Sequence, residues 1–136
     1  MASSIDMALL EHALAQTRLT TIVGKRIYHI KAPQDAKRPY LVLNIVVPSN
    51  DSEEFGVQRM GQHLFQWTAV SSVFEKTPCD AFLISAVIAD VYNDLKGTVN
   101  GVVIKYMWTR GPREIPSSRD DDVECICESE VHYEEP

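Results

Sequence analysis

The apolar positions along this chain switch between a helical and a strand rhythm, and the switches divide it into elements. Ile5, Leu9, His12/Ala13 and Gln16 fall on one stripe, with Ala8 and Leu19 beside it, which predicts a helix over residues 4–19. Ser3 or Ser4 can cap it, and Asp6 puts negative charge in its first turn. Thr20-Thr21 is expected to end it, and Ile22-Val23-Gly24 to enter a turn. Arg26–Ile30 reads as a short strand. A bend follows, bracketed by Pro33 and Pro39, which bias Ala32 and Arg38 away from helix. Tyr40–Val47 is nearly all apolar and rich in Val and Ile, which predicts a central strand buried on both faces or nearly so.

Pro48 to Gly61 is polar and glycine-containing, and is longer than a tight turn needs. His63–Ser71 then alternates, with His63, Phe65, Trp67 and Ala69 on one face and Leu64, Gln66, Thr68 and Val70 on the other. Thr77-Pro78-Cys79-Asp80 carries a helix start, with Thr at the cap, Pro at the first position and Asp at the third. Ile84, Val87, Ile88, Val91 and Leu95 continue it as an amphipathic helix, and Gly97 suits the residue just past its end. Val102–Thr109 predicts a strand with Val102, Ile104, Tyr106 and Trp108 on one face. Gly111–Asp122, with Pro112 and Pro116, reads as a second long polar loop. Val123–Tyr133 alternates once more: Val123, Cys125, Cys127, Ser129, Val131 and Tyr133 inward, Glu124, Glu128, Glu130 and His132 outward, with Ile126 breaking the outer row. The sum is a single α+β domain over residues 1–136, a mostly antiparallel or mixed sheet with two helices packed on one face, long polar loops, an acidic C-terminal strand and a short tail at 134–136.

Composition narrows the function classes. The 136 residues are 45% hydrophobic and 24% charged, ordinary for a globular domain. No run of about 18 apolar residues exists to span a bilayer, and the first residues lack the basic and apolar regions of a secretory signal. The expected site of assembly is therefore the cytoplasm, with no membrane partner. The net charge of −6 is unevenly placed: residues 1–113 balance to +2 and residues 114–136 to −8. An acidic end repels phosphate, which argues against sequence-specific DNA binding.

Chemistry is sparse. Three cysteines, Cys79, Cys125 and Cys127, are an odd number and lack paired metal-ligand spacing, so small buried hydrophobes are expected. His12, His29, His63 and His132 fall on separate elements, outside any metal motif. Asp120-Asp121-Asp122 lacks the alternate spacing of a calcium loop and reads as a solvated charge run. No serine stands in a G-x-S-x-G turn, and Gly56 to Gly61 does not lead from a strand into a helix. Phe65, Trp67, Tyr106 and Trp108 have the makings of a base-stacking platform, but strand alternation assigns them to the core under the helices. No catalytic residue, cofactor or metal is expected. The two long polar loops are left over, and loops of that kind serve contacts.

Val23-Gly24-x-Arg26-Ile27-Tyr28, Ala32-Pro33-Gln34 and Pro39-Tyr40-Leu41-Val42, after a helix containing Ala8-Leu9-Leu10, resemble the tail completion or tail terminator proteins of long-tailed bacteriophages. Phe65-Gln66-Trp67, Val91-x-x-x-Leu95-x-Gly97 and Asn100-Gly101 agree with that pattern, so the resemblance covers nearly the whole chain. The Thr77-Pro78-Cys79 helix start and the very acidic end depart from it. The resemblance implies an α+β subunit, not an enzyme, that forms a ring, commonly a hexamer, in the virion at the head-proximal end of the tail tube. Such a ring stops tube growth and docks the head, so the tail tube protein and a head completion or neck protein are the implied partners. DNA passes through the lumen without specific binding. Asp120, Asp121, Asp122, Glu124, Glu128 and Glu130 are the candidate lumen-facing carboxylates. Asp51, Glu53, Glu54, Phe55 and Arg59 are the candidate contacts with the tube or a neighbouring subunit, Phe55 being an apolar anchor in a polar arm. Two other readings compete: a head-side connector bound to the portal complex, and a small hydrolase using the Cys125/His132 neighbourhood. The second is disfavoured because those side chains fall on opposite faces of one strand.

Overall fold

A computed structural model describes residues 4–47, 60–72, 80–115 and 122–134. The N-terminal stripe folds as two helices. α1 spans Ile5–Leu14 and α2 spans Thr17–Val23. Gln16 breaks them apart by taking an extended conformation, ψ 110°, and its carbonyl then accepts the Leu19 and Thr20 amides of the second helix. The single helix expected over 4–19 is thus corrected to a pair. The Thr20-Thr21 stop is corrected as well: Thr21 turns its hydroxyl back to the Thr17 carbonyl at 2.7 Å, and the helix runs on to Gly24, where φ is +60°.

Six strands form one sheet: β1 Ile27–His29, β2 Tyr40–Val47, β3 Met60–Ser72, β4 Gly97–Val99, β5 Val102–Ile115 and β6 Asp122–Glu134. The order across the sheet is β1-β2-β3-β6-β5-β4. Only β1 and β2 are parallel, and every other neighbouring pair is antiparallel. The mixed α+β architecture expected from the sequence is therefore the one observed. The proline-bracketed bend carries the chain back past β1, so that β2 starts beside β1's beginning, with Ile27 opposite Leu41.

α3, Asp80–Val91, lies on β3, β5 and β6, while α1 lies on β1 and β2 and reaches β4. Asn100, in the turn after β4, donates its side-chain amide to the Ala8 carbonyl at 3.1 Å and ties that turn to α1. The helices cover one face of the sheet. There Leu41, Leu43, Phe65, Trp67, Ala69, Cys125, Cys127, Val131 and Met107 are buried beneath Leu9, Leu19, Ile84 and Ile88. Tyr92, one residue past α3, stacks on Trp67 with ring centroids 4.7 Å apart. A row of hydroxyls crosses this apolar layer. Trp67 donates its indole N–H to Ser129 Oγ at 2.9 Å, Ser129 and Thr109 share a hydrogen bond of 2.6 Å, and Thr109 donates to the Tyr92 carbonyl at 2.8 Å.

β2 is buried on one face only: Leu41 and Leu43 lie under the helices, and Val46 is exposed on the other side. That corrects the expectation of burial on both faces, and the reason is that no layer of the described residues covers the far side of the sheet. α3 ends at Val91, well before Gly97. Asp94 takes the positive φ, 67°, at the exit, and Gly97 opens β4 instead of closing the helix. β5 is also longer than expected. It continues through Gly111 and Pro112 to Ile115, so the first five residues of the expected loop are strand. Those two residues form a bulge opposite β6, and the register jumps from Arg110↔Glu128 to Arg113↔Ile126. Gly111 is required there, because φ is +113° and a Cβ would stand 2.9 Å from the Ile126 carbonyl oxygen. The Thr77-Pro78-Cys79 helix start and the remaining parts of both expected loops lie outside the described residues.

Candidate interaction surface

The face of the sheet away from the helices carries the residues with functional potential. Along β6, Cys125, Cys127, Ser129, Val131 and Tyr133 turn to the helices, so Asp122, Glu124, Glu128, Glu130 and His132 turn the other way. Four of the six candidate carboxylates therefore share one column in the middle of the sheet. Asp120 and Asp121 lie outside the described residues, as do Asp51, Glu53, Glu54, Phe55 and Arg59.

Basic side chains meet this column. Asp122 pairs with Arg38 from the bend before β2, and the Asp122 side chain is only 4% exposed. Glu128 faces Arg110 at 3.8 Å, Glu130 meets His132 at 2.9 Å and Glu134 meets Lys105 at 3.2 Å. None of these partners is visible as a motif. Arg38 is 84 residues from Asp122 in the chain, only the sheet register brings Arg110 and Lys105 into line from β5, and His132 stands two residues from Glu130 on β6 itself.

The aromatic assignment divides. Phe65 and Trp67 are core, as expected, but Tyr106 and Trp108 are 40% and 44% exposed. Ile104 pairs with Tyr133 while Tyr106 pairs with the next β6 residue back, His132, so β5 gains a residue and its alternation flips. Met107 takes the buried position and the two rings stand on the open face. They stack at 2° with centroids 5.0 Å apart, and His132 stacks on Tyr106 at 4.2 Å.

The histidines go to separate pairings rather than to a common site. His12 Nδ1 meets the Tyr92 hydroxyl at 2.9 Å, His29 meets Asp6 at 3.0 Å, and His63 meets the Tyr133 hydroxyl at 2.7 Å. Burial holds His12 below its ordinary value of 6.5. Burial, with a smaller push from Cys125, raises the Cys127 thiol to about 11 against a hydrogen bond at Ser85, whose carbonyl it meets at 3.3 Å. A thiol held protonated in the core is no nucleophile. Cys125 is buried too and His132 is on the opposite face, so the structure does not assemble the Cys125/His132 pair. Among the described residues no three His, Cys, Asp or Glu side chains come together as a metal-binding group, and no helix is long and apolar enough to cross a membrane.

No family model matches the sequence, and no curated protein matches it. Solved structures do share the fold. One is a chain of the virion of a native gene transfer agent particle. It is 13% identical, superposes with a TM-score of 0.73, and the match covers 96% of this chain and 95% of that one. A second solved chain is 16% identical with a TM-score of 0.53, covering 93% and 89%. At these identities the likeness is one of fold.

Proposed function

We propose that this chain is a structural virion protein, a subunit of a ring at the head-proximal end of a tail tube that stops tube growth and docks the head. One observation carries the reading: end to end, the fold is that of a chain from a virion particle. The sequence resemblance to tail terminators points the same way. The described side chains pair off with one another across the sheet and build no catalytic constellation, which suits an assembly protein. In this reading the subunit forms a homo-oligomer, commonly a hexamer, that meets the tube protein on one side and a head completion or neck protein on the other. Asp51, Glu53, Glu54, Phe55 and Arg59 supply the contact arm, and the acidic column with Asp120 and Asp121 faces the lumen through which DNA passes.

Native mass spectrometry over a concentration series, with negative-stain imaging of large species, tests the reading. A closed ring that binds purified tail tubes is the expected result, and deletion of residues 50–58 is expected to abolish tube binding while leaving a folded monomer. A chain that binds the portal complex and ignores tubes would replace the reading with a head-side connector.

A further inference from the structure

The two N-terminal helices depend on the rest of the domain for their order. α1 has ten residues and α2 seven, below the about 12–15 at which a helix holds by itself, and neither has a side-chain cap at its N-terminus. Burial of Ile5, Ala8, Leu9 and Ala13 from α1 and of Leu19 and Val23 from α2 keeps them down. Polar ties add to it. Asp6 meets His29 of β1 at 3.0 Å, Asn100 donates to the Ala8 carbonyl, His12 Nδ1 meets the Tyr92 hydroxyl at 2.9 Å, and Arg18 pairs with Asp90 of α3. The Arg18–Asp90 pair is exposed on both sides and holds little.

His12 stands where the two helices meet. Its ring lies edge-on to Tyr92 with centroids 5.4 Å apart, and the side-chain amide of Gln16, the residue that separates the helices, is 3.5 Å from both ring nitrogens. Tyr92 is buried against Trp67, and among the described residues its hydroxyl has no partner but His12. A neutral imidazole has one nitrogen free to accept the Tyr92 hydroxyl proton. An imidazolium has two donors and no acceptor. Tyr92 can then only accept, and its own proton is stranded in the core. Burial pushes that hydroxyl above its ordinary value of 10.0, so ionisation of Tyr92 does not relieve the conflict. The charged residues closest in sequence to the contact are Glu11 on α1, Arg18 on α2, and Asp90 and Asp94 on either side of Tyr92. Burial is nevertheless the cause of the depression at His12, with no charge contributing. At the other end of α1 the response is opposite, because protonation of His29 completes an ion pair with Asp6.

We infer that α2 and the last turn of α1 form a flap that acid releases from the domain, with His12 as its catch and the Asp6–His29 pair as its hinge. Release withdraws Leu19 and Val23 from the core and opens the flank of α3 against which α2 packs. A released His12 regains its ordinary value of 6.5, so the open form binds more protons below that pH and gains population as pH falls. The flap belongs to this domain whether or not the chain caps a tail tube.

Amide hydrogen exchange followed by NMR at pH 7.5 and pH 5.5, corrected for intrinsic exchange, tests it. The Leu19, Thr20 and Gly24 amides, which bond the Gln16 and Thr20 carbonyls, are expected to lose protection roughly three- to tenfold at the lower pH. The Trp67 and Ser129 amides of β3 and β6 are expected to keep theirs. In His12→Gln, which offers Tyr92 an acceptor that does not titrate, the loss should vanish. In Asp6→Asn it should spread to the Ala8 amide, which bonds the Ser4 carbonyl. The His12 ring, titrated in the parent by the same method, needs no variant to fold and should titrate below 6.5. Unchanged protection at Leu19, equal loss at Trp67, the same loss in His12→Gln or a His12 titration at or above 6.5 would each overturn the inference. A loss that stops short of Ala8 in Asp6→Asn would overturn the hinge.

Discussion

The two tryptophans sit on opposite faces of one sheet, and their surroundings have little in common. Trp67 is 1% exposed, stacked on Tyr92 and hydrogen-bonded to Ser129. Trp108 is 44% exposed and stacked on Tyr106 among ion pairs. The covered face holds the fold together by burial. The open face has mutually paired charges and standing rings, which leaves it available for contacts at small cost to stability. Residue type alone does not say which face a side chain serves.

That contrast can be broken at defined points. The largest effect is expected at Trp67: Trp67→Ala should cost about 3–5 kcal/mol in urea unfolding, whereas Trp108→Ala should stay within about 0.5 kcal/mol. Equal losses would mean the open face is packed after all. Next comes the ion pair at the end of the acidic column. Arg38→Ala removes this cation from a nearly buried Asp122 and should cost about 3 kcal/mol, while Arg110→Ala, whose own side chain is 71% exposed and whose partner lies 3.8 Å away, should cost under about 0.5 kcal/mol. Gly111→Ala follows. Its new methyl meets the Ile126 backbone in a left-handed conformation, and about 2–3 kcal/mol is expected, against about 1 kcal/mol for Gly97→Ala, where nothing lies within 4 Å.

The smallest effect concerns pH. Burial depresses His12 in the folded state, so below its ordinary value of 6.5 the unfolded chain binds more protons than the folded one. Its contribution is present in full above pH 6.5 and is lost as pH falls from there toward the folded value. The urea midpoint of the parent should therefore drop more between pH 7 and pH 5.5 than that of His12→Gln. Parallel curves would remove His12 as the cause.

Much of this was legible in the chain. β3 and β6 follow a period of two, and α3 follows its helical stripe, because each has one covered face and one open face that impose the pattern. What escaped the reading depends on partners distant in sequence. The break at Gln16 has no Gly or Pro to mark it. β4 is three residues long and exists because β5 offers Val102–Ile104 as a template. The bulge after Ile104 exchanges Tyr106 for Met107 in the core, and no alternation along β5 alone reveals it. Gly111-Pro112 looked like a loop because local preference favours a turn, yet the long β6 supplies pairing on both sides of it. For the surface, the acidic column was legible as a row of glutamates with His132 among them, but Arg38 and Arg110 were not, since only the folded sheet sets them beside it.

The hydroxyl row between Trp67, Ser129, Thr109 and Tyr92 has a consequence for uniqueness. Alternation repeats every two residues, so sliding β6 by two would keep every apolar side chain facing the helices, and hydrophobicity would scarcely register the error. Such a slide would bring Cys127 or Val131 to the place of Ser129. The indole N–H and the Thr109 hydroxyl would then lose their shared partner inside an apolar layer, a penalty of roughly 1–3 kcal/mol for each stranded group. One serine in a row of thiol, aliphatic and aromatic neighbours thus works as a notch on an otherwise smooth ruler, selecting a single alignment of three strands that greasiness alone would leave degenerate.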